Sequence, residues 1–443
     1  MKANQLKKGL AALLLLATMP SWAGHVMLNG QLDSSRIYPG TTHEFQIYVP
    51  DQYDGHTPAC LYVGLDGVLC GAPQVMDSLI SAGSMPVTIG VFLQPGVVRG
   101  NGGEVLRYNR SNEFDATDGR FAEFIEAELL PAISWISTPD DRQIFLSSKG
   151  SDHMIFGLSS GGIAAFTAAW HRPELFGRVF SGVGTFVAMR GGNDLQALVR
   201  KSEPKPLRIF LQDGSNDAWN PLFGHWYEGN RMLATALEFA GYDARFDWSD
   251  GAHNVKRSTE IFAQVMQWMW QGWPEPPTTG TTQNDLLSQL LIKDEDWQEM
   301  YDATPPHEAA PRMAQYPDGS LLVTHSPRDN RLWQYIVRGD SLDWGQPFYW
   351  LHSLNNALLS VGPMAFDAAG NLYVVTEWGI QICDQNGRVR GILELPQGVA
   401  PHNHWVIDIE DGAIVLRGLR TFSRRLRIKA PIPGMRPQSQ GQG

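Results

Sequence analysis

From residue 40 to residue 273, short apolar runs alternate with longer stretches in which apolar residues recur every three or four positions. Residues 44–50 alternate apolar and polar, and residues 51–55 form a turn. Residues 60–65 and 87–93 are nearly continuous apolar runs, the pattern of strands buried on both faces. Residues 178–181, 208–212 and 244–248 read as further strands. Helical spacing marks residues 121–136, with Glu123, Glu126 and Glu128 on the polar face. It also marks residues 230–240, which Gly241 ends, and residues 259–270. Strands alternating with helices predict an α/β fold, a mostly parallel sheet with helices on both faces, across residues 24–273.

Residues 274–285 break this pattern, and the Pro- and Thr-rich text of residues 274–282 reads as a linker. Beyond it helical spacing fades. Residues 317–324 are echoed at 368–376 and more faintly at 411–416, with second strands at 331–337 and 379–383. Turn-plus-strand units repeating about every forty to fifty residues are the mark of propeller blades, here a smaller all-β domain over residues 286–430. About three units fit, and a closed propeller takes at least about four. The expectation is a partial, open array whose edge is covered by the first domain or by a second copy of the chain in a homodimer. The basic run of residues 417–429 is expected to guard an edge strand. Residues 431–443, rich in Pro, Gly and Gln, are expected to be a disordered tail.

The N-terminus changes the picture of where the chain works. Lys2, Lys7 and Lys8 precede an apolar run over residues 10–19, and Ser21-Trp22-Ala23 offers small residues for cleavage. Residues 1–23 read as a signal peptide cut after Ala23, which predicts a periplasmic or secreted protein. The 443 residues carry a net charge of −11, which argues against nucleic-acid and anionic-membrane partners. Three cysteines cannot make a disulfide framework, and Cys60, which opens an apparent strand, is expected to sit too far from Cys70, beyond that strand's far end, to bridge.

The candidate chemistry lies at Gly157-Leu158-Ser159-Ser160-Gly161. An apolar strand precedes it and a small-residue helix follows, which is the context a nucleophile elbow requires. The glycines let the turn lift Ser159 clear of the backbone. A serine nucleophile needs a base, and the base an orienting acid, in the chain order Ser, Asp, His. His253 follows the strand of residues 244–248, whereas the rivals His171 and His225 follow no strand. Asp217 leads as the acid, with Asp213, which can cap its own turn, and Asp250 as alternatives. The amides of Ser160 and Val68 are the expected oxyanion donors. Asp66, Arg110, Glu113, Trp219 and Trp226 are candidate substrate contacts, although charged loops and tryptophans more often serve packing. His402 and His404 alone do not make a metal site, so no metal or cofactor is expected.

Leu65-Asp66-Gly67, residues 157–162, the Gly-x-x-Asp of residues 214–217 and the Gly-x-His of residues 251–253 resemble the esterase-D-like α/β-hydrolases. That family includes enterochelin, feruloyl and acetylxylan esterases. The resemblance covers roughly residues 40–273. Residues 109–115, 160–170 and 210–217 are similar to exported bacterial proteins that join such an esterase to a gluconolactonase-like segment. It implies Ser159 as nucleophile, Asp217 as acid, His253 as base, and Val68 and Ser160 as oxyanion donors. The substrate class it implies is an acylated carbohydrate, either acetyl or hydroxycinnamoyl ester. A siderophore ester, or a sugar lactone opened by the C-terminal segment with a metal, is the alternative.

Overall fold

The computed structural model describes residues 24–301, 312–354, 357–399 and 405–431. The stretch read as a signal peptide, the tail beyond residue 431, and His402 and His404 lie outside them.

Eight strands form one sheet. They are β1 (His25–Leu32), β2 (His43–Pro50), β3 (Cys60–Leu65), β4 (Thr88–Leu93), β5 (His153–Leu158), β6 (Arg178–Gly182), β7 (Arg208–Asn216) and β8 (Asp243–Ala252). Their order is β1-β2-β4-β3-β5-β6-β7-β8. The β1–β2 and β2–β4 pairs are antiparallel and the rest parallel. The central strands β3, β4 and β5 are buried along their whole length, which is why their sequences are continuous apolar runs. β1 was not expected, because this edge strand is only half buried and has no clean alternation.

Helices cover both faces. On one, α1 (Ala72–Ser81) and α5 (Lys256–Trp270) pack Met76, Leu79 and Ile80 with Phe262, Met266 and Met269. On the other lie a helical run from Arg120 to Ile133, α2 (Ser160–His171) and α4 (Trp226–Ala240), joined to it by α3 (Leu195–Lys201). β5 serves both layers, with Ile155 facing α2 and Met154 and Phe156 facing α5. α4 and α5 begin earlier than apolar spacing indicates: the first turn of α5 is polar, and Gly229 interrupts the helical text at the start of α4. β7 and β8 run to residues 216 and 252, beyond the expected 212 and 248, because their parallel ladder continues through polar residues.

The C-terminal part holds three four-stranded antiparallel sheets. The first comprises Met313–Gln315, Leu321–His325, Arg331–Arg338 and Ser341–Trp350. The second comprises Val361–Phe366, Leu372–Thr376, Gly379–Cys383 and Val389–Leu393. In each, the repeated sequence forms the turn into the second strand. The third runs Val406–Glu410, Ala413–Arg417 and Thr421–Arg425, and its fourth strand is Gln298–Met300, from the start of the segment. The basic run therefore guards no edge. Thr421–Arg425 is paired on both sides, and Arg417, Arg420 and Arg425 engage Asp408, Glu299 and Glu295.

The two parts are fastened together. Ser202, just after α3, bridges to Ile392 in the last strand of the second sheet, and the Glu203 amide donates to the Ile392 carbonyl at 2.9 Å. The buried Arg424 guanidinium pairs with Glu203, and Lys205 with Glu394 at 2.7 Å. Asn284, in the linker, donates to the carbonyls of Arg200 and Arg390, one on each side. Its side-chain oxygen caps the short helix Asp285–Leu290.

Candidate active site

β5 ends at Leu158 and α2 begins at Ser160, so Ser159 occupies the joint. Its φ of 56° and ψ of −120° lie where non-glycine residues are rare, a conformation costing on the order of 1–3 kcal/mol that surrounding structure must impose. A Cβ at position 157 would sit 2.1 Å from the Gly161 carbonyl oxygen, so only glycine lets the turn close. The Ser159 amide donates to Gly182 at 3.0 Å and its carbonyl accepts from Thr185 at 3.1 Å.

The β7–β8 ladder brings the other two groups to this joint. Its last rung pairs Ala252 with Asn216, so Asp217 and His253 emerge side by side. His253 Nδ1 lies 2.5 Å from Asp217 Oδ1, and Nε2 lies 2.8 Å from Ser159 Oγ. The Asp217 side chain is fully buried while the His253 side chain is 31% exposed, which leaves the imidazole open to solvent and seals the carboxyl. Burial opposes ionisation of Asp217. Hydrogen bonds with His253, Asp213 and the Ala218 amide outweigh it and hold the carboxyl below its usual range.

The alternatives sit elsewhere. His171 Nε2 bonds the Thr117 carbonyl at 2.9 Å, and burial lowers its pKa to about 4. The His225 ring lies beside Tyr227, and Asp250 offers its carbonyl to Asn216. Asp213 lies inside β7, wholly buried, with Oδ1 accepting from the Gly214 amide and Oδ2 from Asn230 Nδ2.

Asp66 takes a positive φ of 64° at the start of the Asp66-Gly67-Val68 loop. Arg110 grips its carboxylate through Nε at 2.6 Å and Nη2 at 2.8 Å. Asp66 Oδ2 would stand 3.1 Å from a Cβ on Gly161, which puts this loop against the elbow. Ser160 opens α2, so its amide has no acceptor within the helix. Glu113 is not placed to meet a substrate. It is wholly buried, bonded to His43 Nε2 at 3.0 Å, Asn109 Nδ2 at 2.6 Å and the Gly96 amide at 3.0 Å. Trp226 is also buried, edge-on to the His253 ring, and its Nε1 donates to Thr185 Oγ1 at 3.2 Å. Trp219 is exposed on the hairpin that follows Asp217. Two residues escaped the sequence reading. Thr185 Oγ1 lies 3.4 Å from Ser159 Oγ, and Asn230 holds Asp213. Neither belongs to a motif, and only the α4 helical period, with Asn230 on its buried face, hinted at one of them.

The Esterase family model matches residues 36–276, more than half of the chain. Among solved structures, a ferulic acid esterase aligns at 15% identity over 55% of this chain and 98% of its own, with a TM-score of 0.43. An enterobactin esterase from Shigella flexneri aligns at 22% identity over 55% of this chain and 59% of its own, also at 0.43. An S-formylglutathione hydrolase from Staphylococcus aureus aligns at 13% identity over 56% and 97%, at 0.40. No curated protein matches. The chain belongs to the esterase family, and its enzymatic activity is carboxylic-ester hydrolysis.

Proposed function

We propose that the chain is an exported serine esterase acting on an acylated carbohydrate. The observation that carries the reading is the unbroken hydrogen-bond chain from Ser159 Oγ through His253 to the buried Asp217. Ser159 Oγ attacks the ester carbonyl as His253 Nε2 takes its proton. The carbonyl oxygen, now an anion, is received by the Val68 and Ser160 amides. His253 returns the proton to the departing alcohol, and Asp217 keeps Nδ1 protonated throughout. Water, deprotonated by the same histidine, then releases the acid from Ser159. Trp219, 65% exposed two residues past Asp217, offers a ring face to a sugar or an aromatic acyl group.

The test is labelling with an organophosphonate followed by intact-mass and peptide analysis. One adduct is expected on Ser159, absent in Ser159→Ala and slowed at least about a hundredfold in His253→Ala. Labelling elsewhere, or none, removes the reading. Turnover on acetyl, feruloyl and siderophore esters then ranks the substrates, and lactone hydrolysis that needs a metal and survives Ser159→Ala moves the activity to the C-terminal sheets.

A further inference from the structure

Two carboxyl groups meet behind the histidine, and the roles of only one are accounted for. Asp217 Oδ1 accepts from His253 and from the Ala218 amide. Asp217 Oδ2 is buried, and no N–H among the described residues reaches it. An anionic oxygen stranded in this way is strongly disfavoured. The Asp217 amide donates to the Gly214 carbonyl at 3.0 Å, and this turn folds the Asp217 carboxyl back against that of Asp213, with which it interacts. Two ionised carboxylates cannot share a buried site, so one of them must hold a proton.

The surroundings decide which. Asp217 faces the imidazole, the one group in the cluster that becomes cationic. Among the described residues no cation bonds Asp213: its partners are Asp217, Asn230 from α4, the Gly214 amide, and Ser249 from β8, which touches its carbonyl. Asn230 is itself tied to the Gly184 and Trp226 carbonyls, so it is a fixed neutral partner. We infer that Asp213 is a neutral carboxylic acid that donates its proton in a hydrogen bond to Asp217 Oδ2, and so fixes the orientation of the acid that orients His253. Burial first, and then the hydrogen bond and charge of Asp217, push the Asp213 carboxyl well above the usual carboxylate range, which agrees with that geometry.

Asp213 is thus a positioning residue, and the inference rests on the catalytic reading of Ser159, His253 and Asp217. Infrared difference spectra of the full chain carrying carboxyl-13C aspartate, wild type minus Asp213→Asn at pH 7, test it directly. A protonated carboxylic-acid carbonyl band present in wild type and missing in the variant is expected; only an ionised carboxylate band would overturn the inference. Kinetics give a second readout. Asp213→Ala removes the donor and is expected to lower kcat about a hundredfold with little change in KM, while Asp213→Asn, whose Nδ2 can donate to Asp217 but cannot also accept the N–H bond taken by the oxygen it replaces, restores part of that loss. Wild-type kcat should decline in alkali as Asp213 ionises, and Asp213→Asn should lose that limb. A variant Asp213→Asn as inactive as Asp213→Ala, with the alkaline limb unchanged, would overturn it. Activity surviving in Ser159→Ala would instead strike the catalytic reading, leaving the infrared result to stand by itself.

Discussion

Arg110 stands beside the elbow with its guanidinium committed to Asp66. Its two-pronged hold on Asp66 fixes a backbone with positive φ at the entrance to the loop that carries the Val68 amide. A lysine in its place would keep the charge and lose the fork. We expect Arg110→Lys to lower kcat by about tenfold and Arg110→Ala by roughly a hundredfold, the scale of a displaced oxyanion donor. KM should move far less, as steady-state kinetics on a small ester would measure; a pure KM effect would mean that Arg110 binds substrate. At this scale the sequence was legible where chemistry demands a fixed spacing. Ser159 lay between glycines, and Asp217 and His253 followed strands in the expected order. Glu113 was legible only as a more frequent structural role, because nothing in a short charged stretch tells which carboxylate faces water and which, as here, faces His43 and Asn109 in the core.

Elements meet at the joint between the parts, where Glu203 follows α3 and Arg424 lies in a strand of the third C-terminal sheet. The Arg424 side chain is 4% exposed. Removing its ion-pair partner leaves the buried guanidinium only the Glu295 carbonyl and the fields of Asp296 and Glu394, so Glu203→Ala should destabilise the chain by roughly 3 kcal/mol in denaturant unfolding. Glu203→Met combined with Arg424→Leu should recover most of that loss. Equal damage from the single and double changes would show that packing, not charge, governs the joint. The strands and helices of the α/β part could be read in advance because their two periods differ and their core is apolar. What could not be read was each element's polar end. β8 ends in Ser249-Asp250-Gly251-Ala252, which resembles a loop, yet it is held as strand by the ladder to β7. The partner of Thr421–Arg425 was hidden for another reason: Gln298–Met300 is short and fully exposed in pattern, and pairing across such a distance leaves no local trace.

Across the whole molecule, two histidines sit where the α/β part meets the C-terminal sheets. His171 packs against Trp378 at a ring separation of 5.2 Å, and His352 lies 3.4 Å from Lys201. Burial, with the positive charge of Lys205 for one and Lys201 for the other, lowers both from 6.5 to about 4. Their folded-state values lie below the unfolded ones, so the unfolded chain takes up protons first as pH falls. Their contribution to stability is complete above about pH 6.5 and is lost on acidification towards pH 4. Between pH 7 and pH 4.5 we expect the Tm to fall by about 5–10 °C and proteases to begin cutting between the parts. In His171→Phe with His352→Leu, both effects should shrink. Cleavage independent of pH would show that other contacts decide the opening of this joint.

The strand Gln298–Met300 also sets a timetable for synthesis. Its partner is distant: Glu299 and Arg420, which pair across these strands, are 121 residues apart. A ribosome therefore delivers the α/β part, then an unpaired strand, and only much later the strand that completes its sheet. Throughout that interval the nascent segment presents a bare edge able to recruit other chains. A premature stop anywhere before residue 421 would make that exposure permanent, so shortened products of this kind should be prime clients for chaperones and proteases even though every residue around Ser159 had already been made.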